Sequence, residues 1–99
     1  MKWSRNVGKN RQAGPPYEVI ESPEFLRLVE DMIGDVQRWD EIKWSQNWLL
    51  ERDPKRGNFL PHYGLWVLIV RTNPAIATYY EIDDAQRRVN PIDISILYP

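Results

Sequence analysis

Gly64-Leu65-Trp66-Val67-Leu68-Ile69-Val70-Arg71, followed across Thr72-Asn73-Pro74 by Ala75-Ile76-Ala77-Thr78-Tyr79-Tyr80-Glu81-Ile82-Asp83, decides the fold. Both runs are dominated by β-branched, aromatic and other apolar residues and are bounded by turn formers, so they read as neighbouring strands over 65–71 and 75–83. Asp83-Asp84-Ala85-Gln86 makes the next turn, and residues 88–97 a third strand. Short connections between them make this an antiparallel meander.

Upstream of the meander the period changes from two to nearly four. Ser22-Pro23-Glu24 combines an N-cap, a proline at the first helical position and an acid favoured by the helix dipole, while Phe25, Leu28, Val29, Met32 and Ile33 fall on one face. Gly34 stops that helix. Asp35 caps a second, with a stripe at Val36, Trp39, Ile42, Leu49 and Leu50, until Asp53-Pro54 ends it. The predicted helices cover 23–33 and 36–51 and form an αα-hairpin. Trp44 and Trp48 lie opposite the second stripe and therefore cover either the N-terminal arm or a sheet edge, or present a binding surface. A short strand at 17–21 precedes the hairpin, and Phe59-Leu60 forms a brief strand or connector after the loop Lys55-Arg56-Gly57-Asn58. The expected class is α+β: strand, αα-hairpin, then a three-stranded antiparallel meander, with the helices on one face. Phe25, Leu28, Val29, Met32, Trp39, Ile42, Leu49, Leu68 and Tyr80 form the expected core.

Composition narrows the function classes. At 99 residues with 42% apolar content the chain makes one domain, expected over 17–99. Residues 1–16 carry Lys2, Arg5, Lys9 and Arg11 without an acid and read as a mobile basic arm, leaving nine basic against fourteen acidic groups in the remainder. The formal net charge is only −1, which argues against a globally basic nucleic-acid binder. The absence of cysteine excludes a disulfide framework, a thiolate metal site and a cysteine nucleophile, and fits a cytoplasmic setting. The longest apolar run, Leu65 to Val70, falls far short of the ~18 residues of a membrane span. No apolar stretch near the N-terminus has the length that a secretory signal needs.

The order of elements, with Tyr17-Glu18-Val19, Ser22-Pro23-Glu24-Phe25, Asp53-Pro54, Gly64-Leu65-Trp66 and Tyr80-Glu81-Ile82-Asp83-Asp84, resembles the RelE/ParE superfamily of type II toxin–antitoxin systems over about residues 17–97. The resemblance implies a compact cytoplasmic toxin held by a cognate antitoxin, acting either as a ribosome-dependent mRNA endonuclease or, in ParE-like members, against DNA gyrase. It implies no cofactor. RNases of this kind carry Lys or Arg on the strand that follows the Gly-Leu-Trp-like lead-in and an Arg ahead of the next strand's tyrosine. This sequence has Val67, Ile69 and Ala77 there, and Leu97-Tyr98-Pro99 where a basic residue is common past the last strand. Attack by a 2′-hydroxyl requires a base, an acid and cationic donors around the phosphate, none of which an apolar side chain supplies.

The remaining chemistry-bearing residues define the candidate site. His62 and Tyr63 offer an acid–base pair, because histidine titrates near neutrality and a phenol can donate to a leaving oxygen. Lys55 and Arg56 would bind phosphate together with Arg71, the one cation kept on the strand pair. Tyr79 would transfer a proton or stack on a base, while Tyr80, on the other face, enters the core. The bland readings are a loop histidine, a solvated Lys55-Arg56 turn and a free Tyr98. Asp83, Asp84 and Asp93 suit turn and strand positions better than a metal site, so no metal is expected. An apolar face at Leu65–Val70 suits an antitoxin helix or a second copy of the chain in a homodimer. Two mechanisms follow, an mRNA interferase using ribosome and mRNA, and a non-catalytic protein-binding module on the same fold.

Overall fold

The computed structural model describes residues 15–72 and 74–97. The chain runs β1 (Glu18–Val19), α1 (Pro23–Ile33), α2 (Val36–Arg52), a 3-10 turn (Pro54–Arg56), β2 (Asn58–Leu60), β3 (Leu65–Val70), β4 (Ala75–Asp83) and β5 (Arg88–Leu97). The α+β class and the αα-hairpin are as expected, and β3, β4 and β5 pair antiparallel. Most of the arm, Asn73 and Tyr98-Pro99 lie outside the described residues.

Three features differ from the sequence reading. The sheet has five strands in the order β1-β5-β4-β3-β2, because Phe59-Leu60 joins Asn58 in a strand that pairs with β3. The first strand shrinks to two residues and lies parallel to β5, so the sheet is mixed. Its brevity follows from its neighbours: the Tyr17 amide donates to the Glu51 carbonyl at 2.8 Å, and Ser22-Pro23 begins a helix only two residues after the Ile20 amide meets the Val89 carbonyl. The third difference is Met32, 39% exposed although it was expected in the core. Ile33, the next residue of α1, does pack against the core.

Capping explains the helix ends. Ser22 Oγ accepts from the Phe25 amide, and Gly34 adopts φ 75° to close α1. Asp35 accepts from the Arg38 amide at the start of α2. Phe25, Val29, Trp39, Ile42, Ile76 and Ile94 form one core cluster, with Leu28, Ile33 and Val70 against it. Phe25 meets Trp39 edge-on at 5.9 Å. A second cluster joins Leu50, Tyr80 and Val89 to Tyr17, Val19, Trp66, Leu68 and Ile82.

Between the clusters lies a polar pair that periodicity overlooks. Gln46 continues the Trp39–Ile42–Leu50 stripe at 1% exposure, and its Oε1 accepts from Thr78 Oγ1 at 2.7 Å. That bond satisfies the amide oxygen, while Gln46 Nε2 is buried without a hydrogen-bond partner. Glu21, in the β1–α1 connection, accepts from Trp39 Nε1 at 3.2 Å and from Lys43 Nζ at 3.1 Å, locking α2 against the start of α1. Burial disfavours the Lys43 ammonium, yet Glu21 and Asp40 outweigh it and hold the Lys43 pKa above its ordinary value.

Candidate functional site: the open face of the sheet

Strand alternation sends Trp66, Leu68 and Val70 of β3 and Ile76, Thr78, Tyr80 and Ile82 of β4 toward the helices, and the intervening residues to the other face. A bulge between Tyr79 and Tyr80 preserves this alternation across β5: Tyr80 pairs with Pro91 and Tyr79 with Asp93, leaving Ile92 as the extra residue. The open face therefore carries Leu65, Val67 and Ile69 on β3, Ala75, Ala77, Tyr79, Glu81 and Asp83 on β4, and Arg88, Asn90, Asp93, Ser95 and Leu97 on β5. Ile69 is 39% exposed. Tyr79 and Ser95 share a hydroxyl–hydroxyl hydrogen bond of 3.2 Å, which holds the Tyr79 ring across β4 and β5 beside the buried Ala77. The β3 half of this face is apolar, and its charged members on β4 and β5 are the acids Glu81, Asp83 and Asp93 and, at the β4–β5 turn end, Arg88 opposite Asp83.

The candidate residues from the sequence take separate positions around this face. Lys55, in the 3-10 turn, pairs with Asp84 at 3.2 Å. Arg56 is exposed beside it. His62 and Tyr63 occupy the exposed turn between β2 and β3, where Gly64 takes φ 67°. Arg71 follows the last residue of β3, so it stands at the opposite end of that strand from His62, separated by about 20 Å at ~3.3 Å per residue. One phosphate does not span that distance. Tyr79 lies between the two ends with its hydroxyl engaged by Ser95. Among the described residues, no group of three or more His, Asp or Glu side chains is arranged to hold a metal ion. Among the same residues, no helix is long and apolar enough to cross a membrane.

Lys55 belongs to a cluster that sequence spacing does not disclose. The Tyr17 hydroxyl donates to Asp84 Oδ1 at 2.5 Å, the Arg87 guanidinium lies 4.4 Å from the centre of the Tyr17 ring, and Arg87 Nε donates to the Pro15 carbonyl at 2.6 Å. Hydrogen bonds from Tyr17 and Lys55 hold the Asp84 carboxyl below its usual pKa, and the same Asp84 bond raises that of Tyr17. Arg87 adopts φ 53° in the β4–β5 turn, the left-handed conformation that aims its side chain back at Pro15. Pairing partners 67 residues apart leave no local signal. The cluster ties the chain at Pro15–Tyr17 to the β4–β5 turn and the 3-10 turn.

A second surface lies on the solvent side of α2. Trp44 is 74% exposed and Trp48 49%, and with Asp40, Lys43, Asn47 and Glu51 they line a groove of about 280 Å³. Arg52 stacks 4.2 Å from the Trp48 ring. Compared with protein-family models and with curated proteins, the sequence matches none of either.

Proposed function

We propose that the chain is the toxin component of a toxin–antitoxin pair, a RelE/ParE-like scaffold that works by associating with a protein rather than by cutting RNA. The chemistry of the open sheet face carries this reading. Val67, Ile69 and Ala77 put no cation where a scissile phosphate would lie, and Glu81 and Asp93 add negative charge that repels one. The cations that do exist are spread over both ends of the strand pair, and Lys55 is already engaged by Asp84. An apolar strip edged by acids favours a protein segment with an apolar stripe, supplied by the cellular target and, in competition with it, by the cognate antitoxin.

The test is ribosome-dependent cleavage by the purified protein. Wild type should leave ribosome-bound mRNA without new 5′ ends. Cleavage that disappears in His62→Ala or Arg71→Ala would instead establish the endonuclease reading. With an antitoxin encoded in a neighbouring reading frame, Ile69→Lys should weaken the complex by about tenfold or more, because the ammonium would have to be desolvated in an apolar contact. An unchanged dissociation constant would remove the open face from the interface.

A further inference from the structure

We propose that the solvent side of α2 is a two-fold interface between copies of this chain, the helix packing antiparallel against itself with Trp44 on Trp48 of the second copy. Among the described residues no ring or cation stacks on Trp44, although it is the most exposed tryptophan there. Trp48, one turn on, is half exposed. Adjacent bare indoles are the composition of an association surface, and the order of the charges around them identifies what associates.

Asp40, Trp44, Trp48 and Arg52 follow at four-residue spacing and share one row on the outer face of α2, about 18 Å long at ~1.5 Å per residue. The row reads acid, indole, indole, base. A second copy turned end over end about the level of residue 46 sets its Arg52 against Asp40 and its Trp48 against Trp44, and the same contacts recur in reverse. A two-fold interface demands this property, because every contact must be made twice. A parallel copy would set acid on acid and base on base, and a different protein would require no such symmetry of the row. The neighbouring row repeats the pattern: Lys43, Asn47 and Glu51 read base, amide, acid, centred only ~1.5 Å further along the helix.

Contacts within the chain leave these groups capacity for a partner. Arg52 uses Nη1 for both the Trp48 carbonyl at 3.0 Å and Glu51 at 3.6 Å, so Nη2 and Nε remain as donors. Its guanidinium covers one face of the Trp48 ring. Asp40 meets Lys43 at 3.7 Å, longer than a hydrogen bond, and its side chain is 60% exposed. Two indoles per copy make a small interface, so the dimer is weak and depends on concentration. The inference does not rest on the open sheet face, which is formed by other residues.

Sedimentation of the full chain over a concentration series tests it, with monomer expected to pass into dimer as concentration rises. Trp44→Ala should raise the dissociation constant about tenfold or more and leave Tm almost unchanged, since an exposed indole contributes little to the fold. Asp40→Arg alone and Arg52→Asp alone should each weaken the dimer by setting like charges together. The double exchange Asp40→Arg/Arg52→Asp should recover most of that loss, a rescue that an antiparallel copy gives. A chain that stays monomeric up to about 1 mM, or a dimer indifferent to Trp44→Ala, would overturn the assignment. A dimer lost in Ile69→Lys but kept in Trp44→Ala would also overturn it, by moving the pairing to the open sheet face. Failure of the double exchange to restore the dimer would overturn the antiparallel register.

Discussion

At the scale of single residues, Tyr80 and Gly57 show how tightly the 3-10 turn is fitted to the sheet. The Tyr80 hydroxyl, fully buried, donates to the Pro54 carbonyl at 2.6 Å, and burial pushes its pKa up to about 12. The folded value lies above the unfolded one near 10, so the neutral phenol contributes its full stabilisation below that pH. Stability should therefore fall as pH rises from 10 toward about 12, and Tyr80→Phe should flatten the fall. Denaturant midpoints measured across that range, with tyrosinate absorbance in parallel, check it; a wild-type slope equal to that of Tyr80→Phe would contradict it. At Gly57 a Cβ would collide with the Val67 carbonyl oxygen and the Tyr80 hydroxyl. Gly57→Ala should cost about 1–3 kcal/mol, as overpacking usually does, and a neutral urea midpoint would show that the turn can move. Thr78→Val leaves Gln46 Oε1 without its donor in the core and should cost about 1–3 kcal/mol by the same measurement.

At the scale of elements, most of the fold was legible because local signals agreed with global packing. Ser22, Gly34 and Asp35 mark the helix ends by capping chemistry, and the alternation from Leu65 to Asp83 marks two strands. What could not be read there depends on partners distant in sequence. β2 exists because β3 offers it an edge, and β1 is short because Glu51 takes the Tyr17 amide. Gln46 breaks the apolar stripe of α2 by residue type but not by position, and only Thr78, 32 residues away, reveals why. Met32 fits the α1 stripe, yet it is 39% exposed while Ile33 beside it packs against the core. A pair of truncations separates the two ends of that stripe: Phe25→Ala should cost about 3–5 kcal/mol, whereas Met32→Ala should cost much less, on the order of 1 kcal/mol or below. Equal losses in thermal or urea unfolding would put both on the buried face.

At the scale of the whole molecule, the helices occupy one face of the sheet and leave the other to solvent, so any function of the sheet depends on what that face presents. The candidate site was only partly legible for this reason. Sequence alternation placed Val67, Ile69, Ala77 and Tyr79 together, but the Tyr79–Ser95 bond and the engagement of Lys55 by Asp84 arise from pairings across many residues. The order of elements that resembles RelE/ParE toxins sets the expectation of a toxin, and the apolar, acid-edged face sets the expectation that it acts by binding. The most direct measurement is growth of a bacterium in which the chain is induced, comparing wild type, the His62→Ala/Arg71→Ala double variant and Ile69→Lys, with folding of each checked by circular dichroism. Association through the open face predicts arrest by wild type and by the double variant, and loss of arrest in Ile69→Lys. Arrest by Ile69→Lys but not by the double variant, or growth unaffected by wild type, would contradict it.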